Sequence, residues 1–175
     1  MKTGLYIGRF QPFHLGHLEA VKHILQQVDE LIIVVGSAQN SHTMENPFTA
    51  GERTTMLRIA LKDAKIEPSR YMVTPLPDAE FHMVWVAHLL SQTPAFQAAF
   101  TNEPLTARLL KEAGVHVERI PYYQRESYTS TEVRRRMLNS ENWESLLPQA
   151  VADYLTKIGG VERIREISLS DKSPP

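Results

Sequence analysis

Leu31-Ile32-Ile33-Val34-Val35 is an unbroken aliphatic run, mostly β-branched, stopped by Gly36. A strand with one solvated face alternates apolar and polar residues, so a run without alternation predicts a parallel strand covered on both faces, at the centre of its sheet. Upstream, Leu5, Tyr6 and Ile7 lie in a strand-like stretch from Thr3 to Gly8. Apolar residues at 15, 18, 21, 24, 25 and 28 then trace one face of a helix. Downstream, Ser37 to Pro47 is a polar loop, and Thr49-Ala50-Gly51-Glu52 has the spacing of a capping box opening a helix to about Lys62. Tyr71–Leu76, Ala95–Thr101 and Val115–Ile120 read as further strands, with helices over Phe81–Leu90 and Pro104–Ala113 between them. From Thr129 the pattern is helical. Thr129 and Glu132 form a second capping box, and Pro148 opens one more helix.

Strands alternating with helices at this interval imply right-handed βαβ crossovers. The fold class is α/β, a Rossmann-like doubly wound parallel sheet of about five strands with a C-terminal helical segment. Ligands of such sheets bind at the carboxyl ends of the strands. A chain of 175 residues, 42% hydrophobic, supports one core, so a single domain is expected over 1–167, with a flexible tail over 168–175. A net charge of -1 shows no commitment to nucleic acid or to an anionic membrane, and neither is expected as a partner. Without cysteine there is no disulfide framework and no thiolate metal site. The chain begins without a signal-peptide h-region and contains no span of about 20 apolar residues, which points to the cytoplasm.

Gly8-Arg9-Phe10-Gln11-Pro12-Phe13-His14-Leu15-Gly16-His17 joins the first strand to the first helix. Loop amides and the positive helix end make that turn a place for phosphate. Gly8 can take backbone angles closed to other residues, and Gly16 presents no side chain to an approaching base or phosphate. His14 and His17, three apart, project to one side of the first turn and can both donate to one polyphosphate. An H-x-G-H tetrad arises by chance in roughly one chain per hundred, so its position in the first βα loop is what separates it from ordinary surface histidines. A zinc site would need a third strong ligand, and no local cluster supplies one.

The loop resembles that of the H-x-G-H nucleotidyltransferases, in which two histidines stabilise charge on the transferred α-phosphate and the leaving pyrophosphate without a covalent intermediate. The resemblance gives His14 and His17 those roles. Tyr128-Thr129-Ser130-Thr131-Glu132-Val133-Arg134 resembles the superfamily's second motif, at a helix start where hydroxyls, amides and a guanidinium bind anions. It implies a catalytic set of His14, His17, Arg9 and Arg134. Gly8, Phe10, Gly16, Thr129, Ser130 and Thr131 complete the ATP site, and Arg134 holds the β and γ phosphates. A capped surface helix with solvated arginines is the plainer reading of that second segment alone.

Longer segments carry a narrower resemblance. Val28–Ile33, Gly36-Ser37-Ala38-Gln39, Asn46–Arg53, Asp78-Ala79-Glu80-Phe81, Trp85-Val86, Thr131–Met137 and Gly160-Val161-Glu162-Arg163 are similar, in order, to the archaeal type of nicotinamide-mononucleotide (NMN) adenylyltransferase. This implies ATP and NMN as substrates, NAD and pyrophosphate as products, Mg²⁺ entering with ATP rather than on protein ligands, and a homo-oligomer such as a hexamer. It also implies an acceptor site of Ser37, Asp78, Phe81, His82, Trp85 and Asn102, where an aromatic ring stacks on a pyridinium. Trp85 can equally be core, given Val84, Val86 and Leu89, and Asp78 can be a helix cap. His82, Ser130 and Glu103 depart from the family pattern and bear on the choice between nicotinamide and nicotinic acid forms. Rival readings are transfer to another acceptor, such as flavin mononucleotide, phosphopantetheine or glycerol phosphate, and a nucleotide sensor without catalysis.

Overall fold

The computed structural model describes residues 1–121 and 128–170, with Met83 described by its backbone alone. Five parallel strands, β1 (Thr3–Gly8), β2 (Glu30–Val35), β3 (Tyr71–Pro75), β4 (Ala98–Phe100) and β5 (Val117–Glu118), form one sheet in the order β3-β2-β1-β4-β5. The helices are α1 (Leu15–Leu25), α2 (Ala50–Asp63), α3 (His82–Gln92), α4 (Pro104–Glu112), α5 (Ser130–Leu138), α6 (Gln149–Lys157) and α7 (Gly160–Ser170).

The aliphatic run 31–35 is covered on both faces as expected, but it is not the central strand. It lies between β1 and β3, and β1 takes the centre. In a doubly wound sheet the chain builds outward from its first strand on one side, then returns to build on the other. Successive residues of β2 face opposite layers. Leu31, Ile33 and Val35 pack with Tyr6, Phe100 and helices α1, α2, α5, α6 and α7. Ile32 and Val34 join Leu5, Ala99 and residues of α3 and α4.

Strand β5 is shorter than its apolar pattern predicted, because a ladder extends only as far as its partner. Val117 and Glu118 pair with Ala99 and Phe100 of β4. Val115 packs on one apolar layer and Ile120 is buried in the other, so burial continues past the hydrogen-bonded pairs.

The capping box of α2 is formed in full: Glu52 N–H donates to Thr49 Oγ1 at 3.2 Å, and Thr49 N–H donates to Glu52 Oε2 at 2.9 Å. The same carboxylate receives both guanidinium nitrogens of Arg163 at 2.7 Å, which ties α7 to the start of α2. Helix α7 runs to Ser170, so residues 168–170, expected to fray, are helical; the rest of that tail lies outside the described residues. Among the described residues, no helix is long and apolar enough to cross a membrane.

Candidate active site

The turn after β1 rises beside β4, where the order of the sheet reverses and the carboxyl ends of two neighbouring strands leave a crevice. Two adjoining clefts fill it. One, of about 340 Å³, is lined by His14, Gly16, His17, Asn102, Tyr128, Thr129 and Ser130, among others. The second, of about 470 Å³, is lined by Gly8, Arg9, Ser37, Asp78, His82 and Trp85, with the start of α4 opposite. Ile7, Thr101 and Glu103 belong to both walls, so two bound molecules would meet at that partition.

The turn is shaped by Phe10, which takes a positive φ of 53° and sends its ring inward. The ring is buried against Tyr6, Phe13 and His17, with centroids at 5.6, 5.8 and 4.9 Å. Phe10 therefore backs His17 from beneath, and its side chain does not face a nucleotide as expected. Gly8 is needed for a different reason from the one the sequence offered. Its φ is not positive, but a Cβ there would fall 2.7 Å from the Phe10 ring. A Cβ at Gly16 would likewise fall 3.1 Å from the His14 ring and 3.0 Å from Cβ of Tyr128.

His14 and His17 cap α1 reciprocally. His17 N–H donates to His14 Nδ1 at 3.3 Å, and His14 N–H donates to His17 Nδ1 at 3.2 Å, a capping box made of imidazoles. The rings stack at 3.5 Å between centroids, 21° from parallel. Because each Nδ1 accepts, the proton of each neutral ring sits on Nε2. Each ring thus keeps one Nε2–H donor for the cleft that both line, the arrangement a polyphosphate needs.

Burial pushes the His14 imidazole down to about 3 from an ordinary 6.5, and holds His17 well below the same value, with the charge of His14 as a second cause. The folded chain refuses a proton at His14 that the unfolded chain accepts. Its contribution to stability is complete above about 6.5 and declines as pH falls from there towards 3. The nucleotide-free protein is expected to melt progressively lower across that window. His14→Asn, which preserves a side-chain cap without a titratable ring, should flatten the slope in thermal melts at stepped pH.

At the second motif Thr129 caps α5, its hydroxyl accepting from Glu132 N–H at 3.1 Å. The expected reciprocal arm is absent. The Glu132 carboxylate instead receives Arg135 and Arg136 at 2.8 to 2.9 Å, since two guanidiniums outcompete one amide. Ser130 Oγ donates to the Pro12 carbonyl at 3.0 Å, which locks α5 to the first loop. Thr131 is exposed and lines neither cleft.

Arg134 differs from its two neighbours. It is partly buried and donates through Nη1 to the Gln11 carbonyl at 2.7 Å. Desolvation, then the charge of Arg9, lowers its pKa, while Glu45 acts the other way. Arg9 lies 3.9 Å from the Glu45 carboxylate, which is 81% exposed. Two arginines and one exposed carboxylate therefore share the region beside the first loop, and Glu45 is a member that sequence reasoning missed.

A third arginine was also missed. Arg53 of α2 is fully buried and pairs with no carboxylate among the described residues. Its Nη1 donates to the carbonyls of Arg9 and Gly36 at 2.8 and 2.7 Å, Nη2 to that of Ser37 at 3.1 Å, and Nε to that of Thr49 at 3.3 Å. It clasps the loops after β1 and β2 together. Burial lowers its pKa to about 10, helped by Arg9 and opposed by Asp78, so it stays charged at neutral pH.

In the larger cleft Asp78 is not a helix cap. Its carboxylate accepts from Ser37 Oγ and Gln39 Nε2, both at 3.1 Å, joining the loops after β2 and β3. Trp85 both packs on the α3/α4 apolar layer and lines the cleft. Phe81 stands at the N-cap of α3, 63% exposed, and lines neither cleft, because the first turn of α3 presents His82 and Trp85 inward instead. Asn102 is engaged structurally. Its amide exchanges hydrogen bonds of 2.7 and 3.1 Å with the backbone of Ile120, and it lines the histidine cleft rather than the one holding Asp78 and Trp85.

A family model described as cytidylyltransferase-like matches residues 5–136. A nicotinamide-nucleotide adenylyltransferase of Methanolobus tindarius is 49% identical over 172 residues, 98% of this chain and 98% of its own. One from Saccharolobus solfataricus is also 49% identical over 172 residues, 98% of this chain and 100% of its own. The chain belongs to the nicotinamide-nucleotide adenylyltransferase family. Its fold is shared with a bifunctional NMN adenylyltransferase/ADP ribose pyrophosphatase from Francisella tularensis, at a TM-score of 0.69 and 21% identity. That match spans 99% of this chain and 57% of the other. As a member of the nicotinamide-nucleotide adenylyltransferase family, the chain has its two clefts where the sheet reverses, with the paired histidines in one and Asp78 and Trp85 in the other.

Proposed function

We propose that the chain transfers the adenylyl group of ATP to nicotinamide mononucleotide, giving NAD and pyrophosphate, and that it does so by direct attack. The observation that carries this reading is the pair of adjoining clefts meeting at Ile7, Thr101 and Glu103. The smaller holds the two imidazole donors and the start of α5, which suit a nucleotide's phosphates. The larger holds an indole against which a pyridinium can stack. Two substrates held side by side need no enzyme-bound intermediate.

In this mechanism an oxygen of the acceptor's 5′-phosphate forms the new bond to the α-phosphorus of ATP. The bond from that phosphorus to the bridging oxygen breaks, and its electron pair leaves with pyrophosphate. The nucleophile is already an anion, so no general base is needed. Positioning and charge stabilisation supply the rate. The Nε2–H groups of His14 and His17 serve the α-phosphate and the leaving oxygen, and Arg9 and Arg134 serve the β and γ phosphates. Among the described residues no group of three or more His, Asp or Glu side chains is arranged to hold a metal. The divalent ion, Mg²⁺ in this reading, enters with ATP as part of that substrate. Pyrophosphate release from ATP and Mg²⁺ with a panel of acceptors tests the assignment. NMN is expected to respond, and a response confined to flavin mononucleotide, phosphopantetheine or glycerol phosphate would overturn it.

Glu45 competes with the triphosphate for Arg9 in this scheme. Glu45→Gln is expected to lower KM for ATP by about two- to fivefold, the scale of an exposed ion pair, with little change in kcat. Steady-state kinetics at low salt would read the effect.

A further inference from the structure

The larger cleft has carboxylates on facing walls. Asp78 stands on one, and Glu103 on the other, at the start of α4; Arg9 is the only Lys or Arg among the described residues that line it. Glu103 is also the N-cap of α4, and its carboxylate accepts the backbone N–H groups of Leu105 at 3.1 Å and Thr106 at 2.5 Å. Those amides, at the positive end of a helix, are what a ligand's carboxylate would otherwise seek. Desolvation pushes the Glu103 carboxyl up, but the amide and hydroxyl of Thr106 and the amide of Leu105 outweigh it and hold the group below the ordinary range, so it remains an anion. The cleft thus fills its own anion site and adds negative charge to that wall.

We propose that Glu103 selects the substituent on the acceptor's pyridine ring: by occupying the α4 amides with its own carboxylate, it favours the cationic ring bearing a neutral carboxamide and disfavours the analogue bearing a carboxylate. This rests on the acceptor reading given above. It assigns Glu103 a role in specificity beyond that of a helix cap, for a plain cap would affect stability and leave acceptor choice alone. The start of α3, across the cleft, has no side-chain cap, and Asp78 supplies the charge that opposes a carboxylate on that wall.

The test compares kcat/KM for nicotinamide and nicotinic acid mononucleotides in the wild type and in Glu103→Asn, a substitution that removes the charge and retains a good N-cap. The wild type is expected to favour the amide acceptor by about tenfold or more, the scale of one like-charge contact in a cleft. In the variant, use of the acid acceptor should rise by about tenfold while use of the amide acceptor falls by about threefold, as attraction to the cationic ring is lost. Opposite signs are the signature that a merely structural cap cannot produce. Equal use of both acceptors by the wild type would overturn the proposal, as would an equal change for both in the variant. Should neither acceptor yield a dinucleotide with the wild type, the functional reading itself fails and the proposal with it.

Discussion

Replacing His17 with alanine is expected to lower kcat by roughly two to three orders of magnitude, the scale of one preorganised donor lost from a developing negative charge. The substitution also removes the acceptor of the His14 N–H and one ring of the stack with His14 and Phe13. A stability loss of about 1–2 kcal/mol should follow from the broken cap and the lost packing. Function and folding can be separated with His17→Gln. Glutamine at the third helical position can accept the N-cap amide and so restore the capping box, but it offers no imidazole donor. Melting temperature should recover in that variant and kcat should not. An alanine variant that turns over within a few-fold of wild type would remove His17 from the mechanism.

The second large effect is expected at Arg53. Methionine fills a similar volume, but it leaves the carbonyls of Arg9 and Gly36 without the guanidinium donor, while those of Ser37 and Thr49 keep the backbone N–H groups of Asn40 and of residue 53. Each buried acceptor so abandoned costs about 1–3 kcal/mol, partly recovered where water enters. A net loss of roughly 2–4 kcal/mol is expected from the two abandoned acceptors, a large share of the 5–15 kcal/mol typical of a domain. Arg53→Lys keeps the charge but has no planar fork to reach several carbonyls at once, and should fall between. Denaturant titration reads all three proteins. A loss below about 1 kcal/mol in Arg53→Met would mean that the loops hold their shape without the clasp.

The parts of this site that were legible in the sequence are those written locally. His14 and His17 meet because residues three apart face one side of a helical turn, and the same spacing that predicts the shared donor site also forms the cap. The alternation of strands and helices likewise carried the fold class, since it reports burial period directly. What escaped depends on tertiary burial. Phe10 looks like a loop aromatic free to meet a base until a positive φ turns its ring into the core. Arg53 lies in a conspicuous segment, but a charged residue on a helix is read as solvated until three carbonyls from the loops after β1 and β2 are seen around it. Asn102 could have faced an acceptor, and its engagement with Ile120 appears only once β4 and β5 are paired. The place of β1 at the centre follows from the reversal of crossover direction, which the composition of single strands does not encode.

The central claim is that the acceptor's own phosphate is the nucleophile that takes up the adenylyl group of ATP at the partition between the two clefts. Nicotinamide mononucleotide carrying ¹⁸O on its phosphate, turned over with unlabelled ATP and analysed by mass spectrometry, addresses it in one measurement. The account predicts that all of the label is retained in NAD and that pyrophosphate is unlabelled. Label in the pyrophosphate, or ATP consumed with no labelled NAD, would contradict it.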